Sequence, residues 1–150
     1  MKIVSACLAG ENCKWNGTNS LCAAVKEMVE RGEAVAACPE ALGGLSIPRK
    51  PCGIYGGTGA DVLDKKASVR SVGDGEDMTA QFLRGAEEFL KIARSSGADE
   101  AILKARSPSC GCGSTWKLDE GLANHVVEGD GVAAALLKRN GIGVIAGDAD

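Results

Sequence analysis

Aromatic side chains are scarce in this chain: two Trp, one Tyr and two Phe among 150 residues. That excludes a core built on ring packing and leaves Ala, Val, Ile and Leu to do it. There is a single histidine, His125, in a segment with no Cys or Asp partner apparent nearby, so it is not assigned as a catalytic base. A basic tail is missing and the net charge is −3, which argues against broad nucleic-acid binding. No apolar run is long enough to span a bilayer, and no signal-peptide pattern precedes the strand-like opening Met1-Lys2-Ile3-Val4-Ser5. The expectation is a cytoplasmic protein with no membrane partner. Repeats and low-complexity tracts are absent too.

Glycine, at 21 residues, and cysteine, at seven, are what the chain has in plenty. The glycines imply tight turns and close backbone approaches. Disulfides are disfavoured in the cytoplasm, so the thiols are read as metal ligands, reactive groups or small buried hydrophobes. Cys22 falls in a helical pattern with Leu21, Val25, Met28 and Val29, capped by Asn19 or Ser20 and stopped by Gly32. It is read as structural, and Cys52 similarly.

Apolar runs at 2–6, 34–37, 100–103 and 142–145 read as buried strands. The strongest helix starts at Asp77 or Thr79, buries Phe82, Ala86, Phe89, Leu90 and Ala93, and ends at Gly97. A shorter one follows Asp130-Gly131, with Val132, Ala135 and Leu136 inward, and Asn140-Gly141 closes it. Residues 46–77 are the least regular, with Val69 and Val72 as candidates for an edge strand and the segment as a candidate flap. Residues 116–127 read as hairpin or loop. Alternating strands and helices predict an α/β fold: a single-domain three-layer sandwich over residues 1–150 around a mainly parallel, Rossmann-like sheet.

In such a sheet, ligands bind beyond the carboxyl ends of the strands. Cys7 and Cys38 each follow a predicted strand directly, and Cys110 follows one after a six-residue loop. Three thiols from distant parts of the chain thus converge on one rim. Three thiolates with an open position suit a catalytic metal centre, either zinc or an iron–sulfur cluster with one free iron. The spacings Cys7 to Cys13 and Cys110-Gly111-Cys112 match no standard metal-binding run, so metal binding and plain thiol chemistry both stay open. Glu40, two residues past Cys38, reads as a solvated loop carboxylate or helix N-terminal charge before it reads as an acid–base group. Ser107 and Ser109 flank Pro108 beside Cys110, either orienting a substrate or serving the turn. Lys104 and Arg106 stand where they can neutralise a phosphate or a cluster's charge.

Four motifs occur in order through nearly the whole chain: Ser5-Ala6-Cys7-Leu8; Cys38-Pro39-Glu40 with Gly43-Gly44-Leu45 and Pro48-Arg49; Arg106-Ser107-Pro108-Ser109-Cys110-Gly111; and Gly129-Asp130-Gly131-Val132. In this the chain resembles the thiouracil desulfidase (TudS-type) family, long catalogued as a domain of unknown function. The resemblance implies an enzyme that removes sulfur from thiolated uracil or its nucleotides without net redox. It implies a [4Fe–4S] cluster on Cys7, Cys38 and Cys110, with the substrate's sulfur on the fourth iron while water attacks the carbon. Glu40 then becomes the acid/base, and Ser107 and Ser109 position a small-molecule substrate. Two departures stand out. Cys52-Gly53 follows Pro51 where family members often carry Ala-Glu, and Cys112 is an extra thiol. The alternative is a metal- or sulfur-binding module with no catalysis of its own.

Overall fold

Four short apolar strands form one all-parallel sheet. They are β1 (Lys2–Ser5), β2 (Ala34–Ala37), β5 (Glu100–Leu103) and β8 (Gly143–Ala146), in the order β2-β1-β5-β8. The computed structural model describes residues 1–147. Ile3 and Val4, neighbours in β1, point to opposite faces and are both fully buried. That is the mark of a parallel strand covered on both sides. On one face, Val4 joins Leu8, Val25 and Ala34 under α1 (Ala23–Glu30). On the other, Ile3 joins Phe89, Leu90, Ala101, Leu103 and Leu137 under α4 (Thr79–Ser95) and α5 (Val132–Arg139).

The chain goes from β1 to β2 on one side of the sheet, then returns to β5 on the other. The strand order therefore reverses at β1, and a crevice opens beyond the carboxyl ends of β1 and β5.

A second sheet was not foreseen. The segment read as irregular holds β3 (Cys52–Tyr55), α3 (Gly59–Leu63) and β4 (Ser68–Ser71), and the ambiguous segment is a hairpin of β6 (Ser114–Leu118) and β7 (Asn124–Glu128). They pair in the order β4-β3-β6-β7, with β3 and β6 parallel and the outer pairs antiparallel. Val69 lies in β4 as expected; Val72 lies just past it. The Asn124 amide donates to the Cys52 carbonyl at 3.1 Å, and a Cβ on Gly53 would sit 1.9 Å from Asn124 Oδ1. Glycine at 53 thus lets the hairpin lie against β3. Helix α4 joins the two sheets. Its first half packs Phe82 and Ala86 against Ile54, Val62 and Val69, and its second half packs Phe89 and Ala93 on the parallel sheet.

Two local readings are corrected. Cys22 is the extended residue before α1, not a residue within it, and Leu21 is exposed. Hydrogen bonds from Ser20 and Cys22 N–H to the carbonyls of Cys7 and Leu8 hold this stretch along the preceding 3-10 turn (Ala6–Ala9), so the helix starts later than its apolar spacing suggests. Pro39–Leu42, read as loop, is a short helix, α2, with Pro39 at its first position, where a missing N–H costs nothing.

Candidate functional site

A cavity of about 430 Å³ opens at the crevice. Each sequence-predicted site residue lines it: Cys7 from the 3-10 turn after β1, Cys38 at the start of α2 after β2, Glu40 in α2, and Ser107, Ser109 and Cys110 from the loop after β5. Cys13 and Cys52 line it as well. Glu40 is the one carboxylate there, and no histidine reaches it, among the described residues. Lys14, Lys104 and Arg106 line both this cavity and a shallower recess beside it. Both tryptophans of the chain, Trp15 and Trp116, also face the cavity.

The loop from Arg106 to Gly111 is shaped by close backbone contacts. Arg106 adopts φ 59°, an uncommon left-handed conformation for a residue with a Cβ. The hydroxyl oxygen of Ser107 accepts the N–H groups of Ser109 and Cys110, at 3.1 and 3.0 Å. The carbonyls of Pro108 and Ser109 accept the first N–H groups of α5, from Val132 and Ala133, both at 2.8 Å. Gly131 permits that approach, since a Cβ there would lie 2.6 Å from the Ser109 carbonyl oxygen. This accounts for the Gly129-Asp130-Gly131-Val132 motif: it docks the helix start onto the site loop.

Glu40 is held from two sides. Arg49 Nε donates to Oε1 at 3.0 Å, and Ser109 Oγ donates to Oε2 at 2.9 Å. Ser107 Oγ lies 3.0 Å from Ser109 Oγ. Because Ser107 Oγ already accepts two N–H groups and Ser109 gives its proton to Glu40, the Ser107 hydroxyl must donate to Ser109. The hydroxyls thus form a directed chain, Ser107 to Ser109 to Glu40. The Arg49–Glu40 pair is buried, with side chains 6% and 14% exposed. Removing one partner of such a pair strands the other charge. Arg49→Met should therefore destabilise the metal-free protein by about 3 kcal/mol, read by urea unfolding. Arg49→Lys keeps the charge but not the fork and should recover only part of it.

Four of the cavity cysteines are held as thiols. Burial pushes Cys110 up to about 12 and Cys52 up to about 12. Cys38 is raised by its hydrogen bond with Cys13 and by burial. For Cys13 the bond with Cys38 pulls downward, but Cys7 and burial outweigh it and leave it at about 11. Soft-metal binding would have to displace these protons.

Sequence reasoning missed Arg49 as a partner of Glu40, although the Pro48-Arg49 pair stood out as a motif. His125 does have an acidic partner: Asp119, 2.7 Å away across the exposed β6–β7 turn and outside the cavity. Cys112 points away and donates to the Val144 carbonyl.

The chain matches known proteins along nearly its whole length. The 2-thiouracil desulfurase family model matches residues 3–149. Protein YbbK of Bacillus subtilis strain 168 is 42% identical over 145 residues, covering 97% of this chain and 94% of its own. The solved structure of the [4Fe-4S]-dependent thiouracil desulfidase TudS superposes with a TM-score of 0.80 at 35% identity, covering 96% of this chain and 88% of that one. The chain belongs to the 2-thiouracil desulfurase family.

Proposed function

We propose that this protein is a desulfidase that exchanges the sulfur of a thiolated uracil, free or as a nucleotide, for oxygen from water, using a [4Fe–4S] cluster. The whole chain acts as one desulfidase domain. The observation that carries the reading is the cavity's donor set, in which thiols from the ends of three parallel strands surround a space with a single carboxylate. Such a set fits an iron–sulfur cluster, since soft thiolate matches iron and the cationic rim offsets the cluster's negative charge. Among the described residues, no three His, Cys, Asp or Glu side chains stand close enough to hold a single metal ion. A cluster asks for a wider spread, because each thiolate binds a different iron.

Cys7, Cys38 and Cys110 are the proposed ligands. Once bound, the cluster supplies a Lewis acid that polarises the carbon–sulfur bond. The protein's own part is positioning and proton transfer. Glu40, aimed by Arg49, takes a proton from water as oxygen adds to the thiocarbonyl carbon, then returns it to the departing sulfur. The Ser107–Ser109 chain keeps the carboxylate oriented and supplies hydroxyls for the ring's polar edge. No electrons are transferred: the thiocarbonyl and water become a carbonyl and hydrogen sulfide. Lys14 and Arg106 offer charge for a nucleotide phosphate at the mouth. All seven cysteines are free, in keeping with a reducing cytoplasm. Among the described residues no helix is long and apolar enough to cross a membrane.

The test is anaerobic reconstitution followed by incubation with thiouracil, scoring iron, uracil and sulfide. Uracil and sulfide in equal amounts are expected. A protein that holds iron but releases neither product would be a metal- or sulfur-binding module. Cys22→Ala serves as the thiol control: iron content should be unchanged and stability should fall by under about 1 kcal/mol, because Cys22 lies before α1 and outside the cavity.

A further inference from the structure

The five aromatic side chains of this protein divide by place. Phe82 and Phe89 fill the core, 1% and 0% exposed. Tyr55 is exposed on the second sheet, outside the cavity, with the Arg70 guanidinium 5.8 Å from its ring. The other two are the tryptophans, and both line the cavity. An indole offers a large apolar area, so leaving one in an open wall forgoes much packing. Both are left so: Trp15 is 45% exposed, and Trp116 is half-buried. Their backbones are fixed nonetheless. The Trp15 carbonyl accepts the Arg49 N–H at 2.8 Å, and Trp116 is paired with Val126 in the β6–β7 ladder. Among the described residues neither indole N–H has a hydrogen-bond partner. The other apolar parts of the wall are small or puckered, such as Ala6, Ala105, Pro39 and Pro108. Among the described residues the two indoles are therefore the cavity's only aromatic faces, and they come from opposite parts of the fold: the loop after β1 and the second sheet.

We propose that Trp15 and Trp116 are the specificity surface for the heterocycle. Trp116, carried on a strand, is the platform on which the pyrimidine ring stacks. Trp15, the more exposed of the two, covers the ring's outer face. This rests on the desulfidase reading above. Stacking on an indole requires a flat, conjugated ring and is indifferent to which polar groups stand at its edge. The edge is left to the hydroxyls of Ser107 and Ser109. The site thus sorts thiocarbonyl compounds by planarity. A thiolated pyrimidine presents both a sulfur and a face. A thioamide in a puckered or open chain presents the sulfur alone and is held poorly.

The experiment sets uracil against 5,6-dihydrouracil, which keeps the carbonyls and N–H groups but is neither aromatic nor flat. Neither carries sulfur, so neither is turned over. Binding to the loaded protein is followed by ligand-observed nuclear magnetic resonance in wild type, Trp116→Ala, Trp116→Phe, Trp15→Ala and Tyr55→Ala. Wild type should hold uracil about tenfold more tightly than dihydrouracil. That preference should vanish in Trp116→Ala, persist in Trp116→Phe, shrink in Trp15→Ala and match wild type in Tyr55→Ala. Trp116→Ala should also raise the thiouracil KM about tenfold and leave kcat nearly unchanged, as the loss of uniform binding requires. A merely structural defect would weaken both ligands alike and keep the preference. Trp15 is exposed and can be truncated without loss of the fold, so its variant decides the matter if Trp116→Ala does not fold. An unchanged preference in either alanine variant, or none in wild type, would overturn the assignment and leave the desulfidase reading intact. A loaded wild type that prefers uracil through these two residues but never converts thiouracil would remove the desulfidase reading and leave the stacking site.

Discussion

Replacing Glu40 with Gln is expected to slow desulfidation by about 10²–10⁴-fold while leaving the iron content unchanged. The size is that of a positioned acid–base group. Water is a poor nucleophile at neutral pH, and the sulfur must leave protonated. Gln has the same shape as Glu, and its carbonyl oxygen can still accept from Arg49. Its amide N–H would then face Ser109 Oγ, which can accept as well as donate. The local packing survives, but the hydroxyl chain loses its terminal base. Glu11→Gln is the matched control: Glu11 is exposed and does not line the cavity, so near-wild-type turnover is expected. The assay pairs initial rates, read by the ultraviolet change from thiouracil to uracil, with iron per chain. If Glu40→Gln keeps both iron and near-wild-type turnover, the carboxylate is a bystander.

The parallel sheet was legible because its strands are short, continuously apolar runs, with the central β1 buried on both faces. Ile3-Val4 and Ala34–Ala37 show the run in their composition alone, although only the former is buried throughout. Placing Cys7, Cys38 and Cys110 on one rim followed from those strands and from the rule for ligands at carboxyl ends. The second sheet was not legible. Its strands are about as short as those of the parallel sheet, but Cys52–Tyr55 and Ser68–Ser71 place Gly53 and Ser71 at buried positions that alternation would reserve for apolar groups. What holds them is register with distant segments, such as Ile54 with Lys117, and local patterning does not encode that. The Arg49–Glu40 pair was hidden for the same reason. The two are nine residues apart, and α2 and a proline-rich turn intervene. Cys22 misled because a thiol between Leu21 and Val25 fits a helix face equally well, whereas backbone bonds to Cys7 and Leu8 draw that stretch out straight.

Gly85→Ala is expected to destabilise the protein and to impair turnover together. In most exposed helix interiors this change stabilises, by about 1 kcal/mol of helix propensity. Here the sign reverses. Gly85 lies in the middle of α4, and a Cβ on it would sit 1.9 Å from the carbonyl oxygen of Pro39. Across the same contact, a Cβ on Gly43 would sit 2.0 Å from the Gln81 carbonyl oxygen. Neither glycine has positive φ, so close approach is what selects them, not backbone conformation. Both obstacles are backbone and cannot rotate away, so α2 must move. The clash costs about 2–3 kcal/mol net, and the melting midpoint should fall by about 5–10 °C for a chain of this size. Helix α2 carries Glu40, and Cys38 stands at its start. A shift of about 1 Å would pull Glu40 out of hydrogen-bond range of Arg49 and Ser109, for which a rate loss of about 10²-fold is expected. Ser95→Ala, on an exposed face near the end of the same helix, tests propensity without contact and should leave both readouts nearly unchanged. Melting by circular dichroism and turnover of the loaded enzyme decide the outcome. A Gly85→Ala protein that melts at or above the wild-type midpoint would mean that α2 and α4 do not meet backbone to backbone, and the rigid seat proposed for Glu40 would go with that contact.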